Sequence, residues 1–191
     1  MAKGGNFELK VAKKLSLWLS KGKNDGLICR TDSSGGRATT RNKANKTVSK
    51  FLYGDLKHSD EIAMPMFDEW SIECKTGYAR KNKKSVTKWD ILDLIDSTQK
   101  EAVFLMMWNQ CKRDAEMSNR EPILIFGRSL RRQCIALNKM YFDSMIKKLV
   151  TVDTICLQLA DDDYVLIMGL NDFLEKVFPD PELIFGKRRK K

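Results

Sequence analysis

The chain is 191 residues long, 42% hydrophobic and 31% charged, and carries a formal net charge of +10 with a pI near 9.4. Those proportions exclude a disordered or membrane-embedded chain and allow one domain with a substantial core. The basic excess points to a polyanionic partner, nucleic acid before membrane, although part of it sits in the terminal run Lys187-Arg188-Arg189-Lys190-Lys191.

Residues 1–186 are expected to form one domain, with 187–191 as a basic tail. The five cysteines (Cys29, Cys74, Cys111, Cys134, Cys156) are scattered and odd in number. Without CxxC spacing they argue against a disulfide framework and against a zinc site. Free thiols in a reducing compartment follow. The apolar run over 15–19, interrupted by Ser16, is too short for a signal or spanning segment. A cytoplasmic protein without membrane contact is expected.

Gly4-Gly5-Asn6 leads into a first helix with Asn6 as its N-cap, and Phe7, Val11, Leu15 and Trp18 recur at helical spacing. Lys21-Gly22 ends it. Glu8 lies on the first turn beside that stripe, a place that suits either a charge favoured by the helix dipole or a ligand facing a metal. Residues 27–31 read as a short strand. It runs into Asp32-Ser33-Ser34-Gly35-Gly36-Arg37-Ala38-Thr39-Thr40-Arg41, whose hydroxyls, glycines and arginines fit either a flexible polar loop or close approach to phosphate. Residues 51–58 are the next strand candidate, in which Gly54-Asp55 sets a carboxylate where the backbone can come close. Asp60, Glu61 and a Met64-Pro65-Met66 connector follow. His58, the single histidine, is expected at the surface, which leaves little room for chemistry that needs a histidine dyad.

Trp70-Ser71-Ile72-Glu73-Cys74-Lys75-Thr76-Gly77 alternates as a buried strand does and closes on a glycine. Glu73 and Lys75 then share a face, with the Cys74 carbonyl between them. A carboxylate beside an ammonium on a rigid strand suits phosphodiester cleavage. The acid can hold a hard cation such as Mg²⁺, and the lysine can steer a water or offset negative charge. Glu-x-Lys also occurs at Glu8-Leu9-Lys10, so its weight here comes from its neighbours.

Residues 78–88 form a basic linker, and 89–97 and 99–117 are predicted helical. In the second helix Ala102, Leu105 or Met106, and Trp108 or Asn109 are the core candidates, with Gln110 a polar contact near the site. Residues 122–128 read as a buried strand and 133–137 as its neighbour. A helix over 139–149, a hairpin of 154–159 with 164–168 around a solvated Asp161-Asp162-Asp163 turn, and a capped helix over 171–178 complete the chain.

This order resembles the PD-(D/E)xK nuclease superfamily, whose core is a helix, a three-stranded meander, a helix and a further strand. Over roughly residues 3–128 the chain is similar to archaeal-type Holliday junction resolvases and related phage-encoded endonucleases. The resemblance implies an α/β fold, a restriction-endonuclease-like core with a central mixed β-sheet flanked by helices. It implies Asp55 and Glu73 as ligands of Mg²⁺ or Mn²⁺, assisted by the Cys74 carbonyl. Lys75 would orient or activate the attacking water, and Glu8 would add a direct or water-mediated metal contact. Ser33 or Ser34 would touch the scissile phosphate, while Arg30, Arg37 and Arg41 hold the DNA backbone. The implied activity is metal-dependent DNA cleavage, selective for branched substrates and carried out by a homodimer, because a four-way junction is cut on two symmetric strands. Two departures stand out. Gly54 replaces the proline usual before the aspartate, and the long insertion before Glu73 leaves Asp60 as an alternative ligand. A restriction-like or nonspecific endonuclease on the same core, and a basic DNA-binding protein whose acids are structural, are the competing readings.

Overall fold

An apolar helical stripe, two strands with almost no polar residues and a second amphipathic helix decide the architecture. The computed structural model describes residues 3–31, 50–76, 102–128, 131–145, 151–159 and 163–185. In chain order these are α1 (Lys3–Leu19), β1 (Ile28–Arg30), a 3₁₀ turn (Lys50–Leu52), β2 (Leu56–His58) and a second 3₁₀ turn (Glu61–Ala63). Next come α2 (Met64–Glu69), β3 (Trp70–Thr76), α3 (Val103–Met117), β4 (Glu121–Gly127), β5 (Gln133–Asn138) and α4 (Lys139–Met145). The hairpin β6 (Thr154–Gln158) and β7 (Tyr164–Gly169) leads to α5 (Leu170–Asp172), a π turn (Phe173–Val177) and α6 (Glu182–Phe185).

The central sheet has five strands in the order β3-β4-β5-β7-β6. β3 and β4 run parallel and the other pairs antiparallel, so the sheet is mixed. β1 and β2 form a separate antiparallel pair. The strand alternation splits the core in two. Ile72, Ile123, Ile125, Ile135 and Leu137 pack with Val11 and Leu15 of α1. Leu124, Phe126 and Ala136 face the other way, onto Met107, Trp108 and Cys111 of α3. Helices on both faces explain why β4 is apolar without alternation. Trp18, stacked on Trp70 at 6.4 Å, donates its indole N–H to the Phe178 carbonyl (2.7 Å) and ties α1 to the C-terminal segment.

Several local expectations need correction. α1 already begins at Lys3, so Asn6 lies inside the helix and not at its cap. The early glycine has another use: a Cβ on Gly5 would come within 2.9 Å of the Arg30 guanidinium, so the missing side chain makes room for it. Residues 51–55 are not strand, and only Leu56–His58 pairs. The Met-Pro-Met connector is the start of α2, with proline in the first turn, where its absent N–H costs nothing. In α3, Met106 is exposed (55%) and Met107 is buried instead, because Met107, Trp108, Cys111 and Ala115 form the stripe that meets β4. His58 is not a surface residue. Its ring is half-buried, edge-on to Phe51 at 4.7 Å. Asp163 at the hairpin tip accepts from Lys112 (2.6 Å) and Asn138 (3.2 Å), so it is held by its neighbours and not merely solvated. The five cysteines are free, with Cys74 and Cys111 buried. Among the described residues no helix is long and apolar enough to cross a membrane. The expected helix over 89–97, the basic linker, Asp161, Asp162 and the 187–191 tail lie outside the described residues.

Candidate active site

β3 is the first strand of the five-stranded sheet, and the edge away from β4 carries the site. Ile72 and Cys74 present their peptide groups to that edge, since N–H and C=O of one residue point the same way along a strand. The Ile72 carbonyl accepts from the Asp55 N–H (2.8 Å), and the Cys74 N–H donates to Asp55 Oδ2 (2.9 Å). Asp55 is thus bonded to β3 through both its backbone and its carboxylate. The Cys74 carbonyl is directed toward the same side.

Gly54 makes this approach possible. Its φ is +85° and a Cβ there would stand 2.8 Å from the Ile72 carbonyl oxygen. Proline, fixed near φ −65°, cannot occupy such a position, which gives the physical reason for glycine before this aspartate. Thr31 holds the other side: its N–H donates to the Asp55 carbonyl (2.9 Å) and its hydroxyl to the Gly54 carbonyl (3.0 Å). Asp60 is engaged elsewhere, accepting from the Ile62 N–H (2.9 Å) as cap of the second 3₁₀ turn.

Glu73 and Lys75 do share a face. Lys75 Nζ lies 2.5 Å from Glu73 Oε1, and Gln110 of α3 donates to the same oxygen at 3.0 Å. Glu8 pairs with the Arg30 guanidinium. All three acids are buried: Glu8 is 7% exposed, Asp55 5% and Glu73 4%. They also feel one another. Burial, and then the Glu73 charge, push the Asp55 carboxyl up to about 7, with Glu8 adding to the rise. Glu73 is likewise raised by burial, against the opposing pull of Lys75, and Asp114 and Glu8 contribute. Asp114, one turn beyond Gln110 on α3 and itself raised by burial, was not singled out from the sequence. Its four-residue spacing from Gln110 is the signal that could have found it. Ser33, Ser34, Arg37 and Arg41 lie outside the described residues.

Like charges buried together hold their protons, which has a consequence for stability. Between the ordinary aspartate value and about 7, the unfolded chain has released the Asp55 proton while the folded one keeps it. Folding stability of the metal-free protein therefore falls as pH rises through that window, by up to about 1.4 kcal/mol per unit, and levels off above it. Asp55→Asn removes that residue's share of the slope and leaves what Glu73 contributes. In EDTA it should raise the urea midpoint at pH 8 more than at pH 5.

A divalent cation suits this donor set. The available ligands are carboxylate and carbonyl oxygens, which favour Mg²⁺ or Mn²⁺ over softer metals. A cation would also cancel the repulsion that raises Asp55 and Glu73. Among the described residues no group of three or more acids, thiols or imidazoles stands close enough together to hold a metal ion, so Glu8, Asp55 and Glu73 do not form a three-acid cluster. Mg²⁺ does not require one, because it commonly takes one or two carboxylates and keeps its other positions for water and substrate phosphate.

A family model described as "Phage putative PDDEXK endonuclease" matches residues 1–184. No curated protein and no solved structure matches the chain.

Proposed function

The chain belongs to the PD-(D/E)xK nuclease superfamily, in its phage endonuclease family, and from that premise we propose that it hydrolyses DNA phosphodiester bonds with the help of a divalent cation. Asp55 and Glu73 are the ligands, with the Cys74 carbonyl beside them and Glu8 as a further direct or water-mediated contact. The observation that carries this reading is the meeting of two buried carboxylates at one strand edge, with the Lys75 amine on the second of them. When bound, Mg²⁺ or Mn²⁺ supplies Lewis acidity at the phosphate and neutralises its charge.

The chain's own groups do the positioning. The Cys74 N–H fixes the Asp55 carboxylate, and Gln110 fixes that of Glu73. From its place on Glu73, the Lys75 ammonium orients the attacking water and offsets charge that builds on the phosphate. Ser33 or Ser34 contacts the scissile phosphate, and Arg37 and Arg41 hold the backbone. Arg30, engaged with Glu8 through one side of its fork, presents the remaining N–H groups to phosphate.

The preferred substrate in this reading is a four-way junction cut by a homodimer. The test is cleavage of end-labelled junction, flap, duplex and single-stranded DNA in EDTA, Mg²⁺ and Mn²⁺. Cleavage is expected only with metal and fastest on the junction. No cut on any substrate would overturn the nuclease assignment, and equal rates on junction and duplex would overturn the junction preference alone.

A further inference from the structure

A cleft of about 810 Å³ opens at one end of the central sheet. Its floor follows from the register. Thr76 pairs with Gly127, Gly127 with Gln133, and Cys134 with Gly169, so the ends of β3, β4, β5 and β7 lie side by side there. Thr76 donates to the Gly127 carbonyl at 3.0 Å, which closes the first step. Phe7 of α1 lies over Gly127, where a Cβ would meet its ring at 3.2 Å. One wall is α1, where Phe7, Lys10 and Lys14 stand on a single stripe at i, i+3 and i+7.

The lining is strongly cationic. Lys10 and Lys14 come from α1, Arg128, Arg131 and Arg132 from the turn between β4 and β5, and Lys176 from the π turn, against the acids Asp172 and Glu175. Lys176 is paired to Asp172. Lys14 is held by neutral oxygens, Gln133 Oε1 at 2.7 Å and Asn171 Oδ1 at 2.8 Å. Lys10 and the three arginines are exposed, and no other described residue holds them in an ion pair. Three arginines within five residues, on a turn at the mouth of a cleft, build a concentrated positive field that folding of the described residues does not use.

We propose that this cleft is a phosphate track that carries one DNA strand away from the cleavage centre. It deepens the nuclease reading and rests on it for the nature of the ligand. Thr76, one of its lining residues, directly follows Lys75 in β3 and by strand alternation faces the α1 side of the sheet, so a strand leaving the centre reaches the cleft by passing the end of β3. Adjacent strands lie about 4.8 Å apart, so the crossing from β3 to β7 spans about 14 Å. A strand carries one phosphate per about 3.4 Å of duplex axis and spaces them farther apart along its own backbone, so that distance holds at most about four phosphates. Arg128, Arg131 and Arg132 provide forked donors to them, and Lys10 and Lys14 provide point charges.

The test is equilibrium binding of full-length protein to labelled junction and duplex DNA in EDTA, over a salt series, for wild type and for Arg128→Gln/Arg131→Gln/Arg132→Gln. The arginines are exposed, so thermal unfolding of the variant should match that of the wild type. Its affinity should fall on both substrates, and the slope of log K against log salt should become shallower by about one unit per arginine that meets a phosphate. DNA carrying single methylphosphonates should show weakened wild-type binding at a few consecutive positions on one side of the cut, and no such dependence in the variant. A wild-type slope in the triple variant would overturn the track. Because no cleavage is needed for this readout, it separates from the nuclease reading, which fails when metal-dependent cutting is absent whatever the slope.

Discussion

Lys75→Ala should lower the single-turnover rate of DNA cleavage by about 10²- to 10⁴-fold, the range for loss of a positioned proton-transfer or charge-stabilising group. The amine is 14% exposed and bonded to Glu73, so its removal takes away the only cation shown to touch that carboxylate among the described residues. DNA binding should persist, because one partly buried ammonium adds little to the salt-dependent attraction between a basic chain and phosphate. Glu73→Ala offers the contrast. It should abolish the same cleavage and leave affinity unchanged or slightly higher, since a negative charge next to phosphate is gone. Rapid-quench cleavage and fluorescence anisotropy on the same junction check both variants. Full activity in Lys75→Ala would remove the lysine from the mechanism.

The largest effect on stability is expected at a residue away from the reacting groups. Arg120 is 7% exposed and its guanidinium donates to four backbone carbonyls, Trp70 (2.9 Å), Phe67 (3.3 Å), Lys50 (2.7 Å) and Tyr53 (2.8 Å), and to the hydroxyls of Ser118 (3.0 Å) and Ser71 (3.4 Å). Burial lowers its pKa to about 10, which still leaves it charged at neutral pH. One of those carbonyls belongs to the first residue of β3, one lies three residues before it and another immediately precedes Gly54, so a single planar group joins the two chain segments that meet at Asp55. Arg120→Met fills similar volume but leaves three buried carbonyls and the part-buried Lys50 carbonyl without this donor. The expected loss is about 3–5 kcal/mol, and at about 2–4 °C per kcal/mol the melting temperature should fall by roughly 6 °C or more. Arg120→Lys should recover only a fraction, since an ammonium has three donors and cannot reproduce the planar fork. Thermal and urea unfolding decide it, and a variant within about 1 kcal/mol of wild type would show that the carbonyls find water instead.

These two residues also mark what the sequence disclosed and what it concealed. Glu73 and Lys75 on one face follow from strand alternation alone, because the period of two is a property of the backbone. The apolar runs of β4 and β5 and the hairpin of β6 with β7 were legible for the same reason. Arg120 was not, since its partners are mainly carbonyls, which every residue has and no residue type advertises. Gly54 marked Asp55 as a carboxylate at a close backbone approach, but its role as a ligand could be named only through the family resemblance. What places Asp55 is a positive φ at Gly54 and a hydrogen bond to Ile72, seventeen positions on, and the partner of that bond leaves no local pattern. Arg30 carries a charge that suits phosphate, yet its engagement with Glu8 depends on the approach of α1 to β1 and on the space left by Gly5. In α3 the buried stripe was misplaced by one residue at Met106, an error that adjacent methionines invite because both are equally apolar.

The crossing of Gly54-Asp55 over β3 has an effect unrelated to chemistry. It occupies the outward N–H of Cys74 and the outward carbonyl of Ile72, groups that on a bare sheet margin would be available to pair with another chain. Asp55 thus covers two of the groups through which that margin could pair with another chain. A lesion that swings this segment away would both disarm the centre and leave an adhesive rim, so precipitation during expression would accompany the lost activity.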